Sequence, residues 1–324
     1  MKKIFVLTVS LLCAITFIFT IYYAYRVYES NMAEQIKDQV GMKNKTRIAM
    51  ITQELESPFT KALEVGIERV VDKNNMNVSY WGTYHPDLNN MLKYMDIAIA
   101  SKVDGIIVQA MDGTEFVQIV QKATAKGIPV ITVGFDASPN SLRKTYVGPD
   151  HYKEGQIVGD QIANELNKQG IICIVSDNRL TSFEKLRLDG LEKVLLNYPN
   201  IKLVKVEANE SEFNQSKLLV NRILNQYPKI RVLIGLNAEA AIGIERVLTD
   251  RSRSEEYSVY SFDDSPELRE FVDSGQISAT LTNDGAAIGE KSVLLLKQWI
   301  ENIELPLPEN VYTHVSFYKK KASS

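Results

Sequence analysis

From Arg47 onward the chain alternates between two patterns. Short runs rich in Ile and Val (RIAMIT, MNVSYWG, VDGIIVQ, IPVITVG, IICIVS, IKLVKVE, RVLIGLN, YSVYSFD and ISATLT) are separated by stretches long enough for a helix. Examples of the latter are HPDLNNMLKYMDIAIASK, TEFVQIVQKATAKG and SFEKLRLDGLEKVLLNYP. Alternating strand and helix predicts an α/β fold with parallel sheets. The runs are almost continuously apolar, which suits strands buried on both faces. Two doubly wound lobes are more economical than one sheet of that size.

The N-terminus follows another pattern. After Lys2 and Lys3 the chain is uncharged from Ile4 to Tyr25. Crossing a bilayer takes roughly 20 apolar residues, so residues 1–25 read as a single transmembrane anchor. The basic end predicts a cytoplasmic N-terminus with the rest of the chain outside, and Tyr22, Tyr23, Tyr25 and Tyr28 resemble an interfacial belt. A cleaved signal would show a shorter apolar core and a small-residue cleavage site, and a lipid anchor on Cys13 would want a small residue where Leu12 stands. Residues 26–45 read as a polar stalk, with Val27, Met32, Ile36 and Val40 at near-helical spacing and Gly41 as a stop.

The ends of the apolar runs carry the candidate chemistry. They lead into Gln53, Gln109 and Asp112, Asp136, Asp177 and Asn178, Asn237, Asp263 and Asp264, and Asn283 and Asp284. In open α/β sheets ligands bind beyond the carboxyl ends of the strands. Each such residue alone is equally a turn or helix-cap residue. Together they describe a cleft lined by amides and carboxylates. Those groups suit a polyol, whose hydroxyls donate and accept. The loop after the first run adds Ser57 and Phe59 around Pro58. A flat ring there suits the C–H face of a sugar, and proline limits its wandering.

Composition narrows the function. The 324 residues carry 37 Lys and Arg against 40 Asp and Glu, a formal net charge of -3, without the clustered basic face that nucleic acid needs. There is no G-x-S-x-G, G-x-G-x-x-G or P-loop, and the three histidines (His85, His151, His314) are not at metal-ligand spacing. These features argue against an enzyme, a nucleotide or metal cofactor, and a DNA-binding repressor. Cys13 and Cys173 lie in separate apolar segments, which argues against a disulfide.

IAMITQELESPFTKALEVG, VDGIIVQAMD, KGIPVITVGFD, VGPDHYKEGQIVGDQIANEL, EKLRLDGLEKVL and VLIGLNAEAAIGIERVL follow in an order that resembles the type I periplasmic sugar-binding proteins of the ribose, xylose and galactose group. The resemblance runs from Arg47 to about Tyr318. It implies an N-terminal lobe of residues 46–149 plus 284–312 and a C-terminal lobe of 150–283 plus 313–320, joined by a hinge. It implies ligand contacts from Gln53, Ser57, Phe59, Arg187, Asn237, Asp263 and Asn283, with no cofactor. Thr60 stands where a second aromatic often follows, and Phe213 aligns loosely with a further aromatic wall. The ribose-type Asp-Arg pair falls on Gly134 and Phe135, so Asp136 is expected to supply that carboxylate one residue later. A retained anchor with a stalk resembles membrane-tethered sugar sensors that sit beside a two-component histidine kinase, some of which sense D-xylose. The resemblance therefore implies a monosaccharide ligand, an aldopentose with D-xylose favoured, and a histidine kinase partner. The alternative is a tethered receptor of an ABC sugar importer, with a permease as partner. Substituting Arg187 or Asp263 by Ala is expected to abolish binding and leave the fold intact.

Overall fold

The computed structural model describes residues 16, 19–23, 45–137, 141–177, 179–208 and 213–320. The anchor of residues 1–25 and the stalk of 26–45 thus fall almost wholly outside the described residues. Among the described residues no helix is long and apolar enough to cross a membrane.

The apolar runs form two six-stranded sheets. The first holds β1 (Thr46–Thr52), β2 (Met76–Gly82), β3 (Gly105–Val108), β4 (Val130–Val133), β5 (Thr145–Gly148) and β11 (Asn310–Tyr312), in the order β11-β5-β4-β3-β1-β2. All its pairings are parallel. The second holds β6 (Gly170–Asp177), β7 (Ile201–Ala208), β8 (Ile230–Gly235), β9 (Ser258–Phe262), β10 (Ala279–Asn283) and β12 (Val315–Lys319), in the order β12-β10-β9-β8-β6-β7. Only β12 runs antiparallel to its neighbour. The hydrophobic pattern missed β5 and β11, which have four and three residues. TYVG and NVY mix polar and small residues with the apolar ones, so neither reads as an apolar run, whereas the equally short GIIV and VITV do.

Strand periodicity explains the layers. Successive side chains point to opposite faces, so Ile48 and Met50 enter one core while Ala49 and Ile51 enter another. In the second sheet Ile172 and Ile174 face one core, and Cys173 and Val175 the other. These strands are buried on both faces because helices cover both. Each fully buried Ile or Val is worth about 1.5–3 kcal/mol. Burial also pushes the Cys173 thiol up to about 12, so it stays protonated in the core.

Each lobe contains one backbone-to-backbone helix crossing. Helices Pro58–Val71 and Gly285–Ile300 meet at Gly66, where an added Cβ would lie 1.9 Å from the Ala286 carbonyl oxygen. Helices His151–Glu165 and Ser182–Leu195 meet at Gly155, where it would lie 1.9 Å from the Arg187 carbonyl oxygen. The second crossing sets how Arg187 enters the sheet end. The chain passes between the sheets after β5, after β10 and after β11.

Candidate functional site

The carboxyl ends of the second sheet's strands bring Arg187 against Asp263 and against the Leu236 carbonyl that precedes Asn237. Arg187, on helix Ser182–Leu195, is fully buried. Its Nη1 and Nη2 donate to the two carboxylate oxygens of Asp263 at 2.9 and 2.5 Å. Nη1 also donates to the Leu236 carbonyl at 3.0 Å, and Nε donates to Glu154 at 2.9 Å. Among the described residues, four of its five N–H groups are thereby committed, and one on Nη2 is left. Burial opposes the charge of Arg187, but Asp263 and Glu154 outweigh it and raise its pKa. Asp263 follows β9 in the left-handed region, φ 69°, which turns its carboxylate back over the sheet end. Its side chain remains 25% exposed, so it faces both the buried guanidinium and open space.

Asn237 caps the helix Ala238–Asp250, its Oδ1 accepting from the Ala240 amide. Its Nδ2 donates to Glu184 at 2.5 Å, and Glu184 in turn accepts from Thr181 in a capping box. Asn237 is therefore both a cap and a held amide. Asn283 ends β10, and its Oδ1 is buried without a hydrogen-bond partner among the described residues.

In the first lobe Gln53 donates from Nε2 to the Ala110 carbonyl at 2.5 Å, while its backbone amide donates to Gln109. Ser57 caps the helix Pro58–Val71, its Oγ accepting from the Thr60 amide. Thr60 is buried in that cap rather than facing the cleft. The Phe59 ring lies against Gly134, where an added Cβ would come within 2.6 Å of it. Gly134 has φ 70°, so both backbone and ring require glycine there. Asp136 is not a bare strand-end carboxylate. It takes a two-pronged bond from Arg143, plus bonds from the Thr132 hydroxyl and the Ala137 amide. Three of these donors converge on Oδ1, so its remaining accepting capacity lies on Oδ2. Phe213 begins a helix, but its side chain lies outside the described positions.

Contacts around the lobe junction add Phe183, Ser182 and Glu154, which gave no signal in the pattern, and use Asp112 in a role the pattern did not specify. Phe135 stacks on Phe183 across the lobes, with ring centroids 4.3 Å apart and planes 22° apart. The Ser182 amide donates to Asp112 of the first lobe at 2.8 Å. Glu154 is wholly buried between Arg187 and His151. Burial pushes its carboxyl up, but Arg187 and His151 outweigh that and hold it below the ordinary value.

A family model described as periplasmic binding protein domain matches residues 48–303. The chain belongs to the periplasmic binding protein family. This periplasmic binding protein is 23% identical over 245 residues to a D-ribose/D-allose-binding protein of Pseudomonas aeruginosa, covering 73% of this chain and 76% of that one. Among solved structures it is similar to GanP, a glucose-galactose binding protein from Geobacillus stearothermophilus, at 25% identity and TM-score 0.77, covering 85% of this chain and 97% of that chain. A chain of a XylFII–LytSN complex matches at 24% identity and TM-score 0.67, covering 85% of this chain and 98% of that chain. The family is one whose domains work outside the cytoplasmic membrane.

Proposed function

We propose that this periplasmic binding protein closes on a monosaccharide between its lobes. The reading is that of a binding protein, not an enzyme. The observation that carries it is the buried, doubly bonded Arg187–Asp263 pair at the strand ends, with one guanidinium N–H and the outer face of the carboxylate left over. Such groups are fixed before a ligand arrives, so little ordering entropy is spent in gripping hydroxyls. Phe59 covers an apolar sugar face. Gln53, Ser57, Asp136, Asn237 and Asn283 are the other contacts in this reading, with Ser57 and Asn237 acting largely through their caps. The names of the relatives support a sugar, and an aldopentose, D-xylose above others, fits the sensor resemblance.

The ligand shifts the hinge only through its differential affinity for the open and closed forms. In this reading residues 1–25 tether the domain to the outer face of the membrane, and closure is read by the extracellular part of a histidine kinase. A fixed neighbour sees a tethered receptor at high effective concentration. Support comes from the uncharged N-terminal stretch and from the similarity to a chain solved with a partner, LytSN. The names of the curated relatives favour a second reading, a tethered receptor for an ABC importer.

Calorimetric titration of full-length protein with pentoses and hexoses tests the ligand; no heat with any of them overturns it. Reconstitution with candidate kinase and permease tests the partner. D-xylose-dependent autophosphorylation supports the sensor, and D-xylose-driven ATP hydrolysis by the permease with an unchanged kinase supports the importer.

A further inference from the structure

His151 lies outside every contact so far assigned to the ligand, yet it is buried between the two lobes. It is the first residue of helix His151–Glu165, directly after the crossover from β5. Its Nδ1 meets a Glu154 oxygen at 2.8 Å, and its Nε2 meets the Gly134 carbonyl at 3.0 Å. Gly134 belongs to the first lobe, at the end of β4, and its carbonyl also accepts from the Tyr146 hydroxyl at 2.8 Å. Glu154 belongs to the second lobe and accepts from Arg187 on the same oxygen that meets His151.

Both ring nitrogens therefore face acceptors. A neutral imidazole donates from only one nitrogen, while the doubly protonated ring donates from both. The charged and titratable groups facing the ring are Glu154 on its own helix, Arg187 from helix Ser182–Leu195 and the Tyr146 phenol from β5; Asp263 lies beyond Arg187. Phe135 of the first lobe and Phe183 of the second flank the ring, at centroid distances of 6.0 and 5.6 Å.

We propose that His151 is a positioning residue for the cleft, tying the first-lobe carbonyl of Gly134 to the Glu154–Arg187–Asp263 chain so that the ligand-gripping pair is aligned by lobe closure. Hinge rotation at the crossover separates Gly134 from His151 and withdraws one end of the chain. The His151 ring then loses its first-lobe anchor and is free to turn, which loosens its hold on the Glu154 oxygen that also braces Arg187 Nε. The inference uses the sugar reading only for one of its readouts.

The test separates the two ring nitrogens. His151→Asn keeps an amide donor near Nδ1, and His151→Gln keeps one near Nε2. Three measurements on full-length protein apply: D-xylose affinity, the Arg187 Nε–H nuclear magnetic resonance signal, and the interlobe distance between spin labels at Lys126→Cys and Glu270→Cys in a Cys13→Ser background. We expect both variants to weaken D-xylose by tenfold or more and to widen the interlobe distance. We expect His151→Asn to retain the Arg187 signal and His151→Gln to shift it. Wild-type affinity and distances in both variants overturn the proposal, as does an identical Arg187 signal in both. If wild-type protein binds no monosaccharide, the sugar reading fails, and the Arg187 signal and interlobe distance still decide the role of His151. If neither variant folds, ¹⁵N-histidine spectra of the wild type decide: two ring N–H groups on His151 support the proposal, and one overturns it.

Discussion

Each lobe carries an aspartate–arginine pair at a strand end, and the two pairs are built for different purposes. Asp136 and Arg143 are seven residues apart, and Arg143 also donates to the Glu309 carbonyl and to Asn310. That pair braces the returning segment that forms β11. Asp263 and Arg187 are 76 residues apart, and Arg187 reaches Glu154 and the Leu236 carbonyl. That pair closes a network whose arginine and Glu154 are wholly buried while the Asp263 side chain stays partly open. The same two residue types thus brace a returning segment in one lobe and, in the other, form the partly open pair that is proposed to bind the sugar. What separates them is how many elements converge on the arginine.

The sharpest way to break the comparison is to remove each arginine. Arg187→Ala leaves Glu154 buried without its strongest partner and Asp263 without its fork. Breaking a buried pair in this way costs about 3–5 kcal/mol. Urea unfolding should show that loss, and calorimetry should show no D-xylose binding. Binding and stability should therefore fall together, because Arg187 is not the surface contact that its place in the sequence implies. Arg187→Lys should not restore binding, since an ammonium cannot fork. Arg143→Ala should cost less, about 1–3 kcal/mol in unfolding, with a weaker effect on affinity. Equal effects of the two substitutions would erase the distinction.

The paired helix crossings offer a second comparison. Gly66→Ala and Gly155→Ala each drive a methyl into a carbonyl oxygen of the facing helix, and overpacking of this kind costs about 1–3 kcal/mol. Thermal unfolding should fall in both. Affinity should fall further for Gly155→Ala, because that crossing carries Arg187.

Acid sharpens the contrast between lobes. The Glu154 carboxyl lies below its ordinary 4.5 in the folded chain. Its contribution to stability is full above that value and is lost as pH falls through the depressed one. Chemical denaturation at a series of acidic pH values should show this decline in the wild type, and Glu154→Gln should flatten it. The smallest effect is expected at Ser57, whose Oγ caps a first-lobe helix. Ser57→Ala should cost about 1 kcal/mol of stability. A larger loss of affinity than of stability would mark Ser57 as a direct contact with the sugar as well as a cap.

The sequence by itself determined the alternation of strands and helices, the two-lobed α/β class and the positions of most strand ends. The reason is physical: a strand buried on both faces must be continuously apolar, and that signal is local. It also pointed to Arg187, Asn237 and Asp263 as neighbours of one cleft, through motifs in a fixed order. Tertiary structure alone decided which strand-end residues are committed to protein partners and which keep open hydrogen-bonding capacity. Asn237 and Asp284 are spent on helix caps, and Asp264 is spent on Arg269. Asp136 is spent largely on Arg143, whereas Asp263 keeps an outer face. A carboxylate reads the same in the sequence whether its partner is an amide one turn away or an arginine 76 residues away. The short strands β5 and β11 were invisible for a related reason, since their pairing partners, not their own periodicity, make them strands. His151 and Glu154 gave no signal either, because a buried ion chain is defined by which helices meet, and that is set only when Gly155 and Gly190 let two backbones touch.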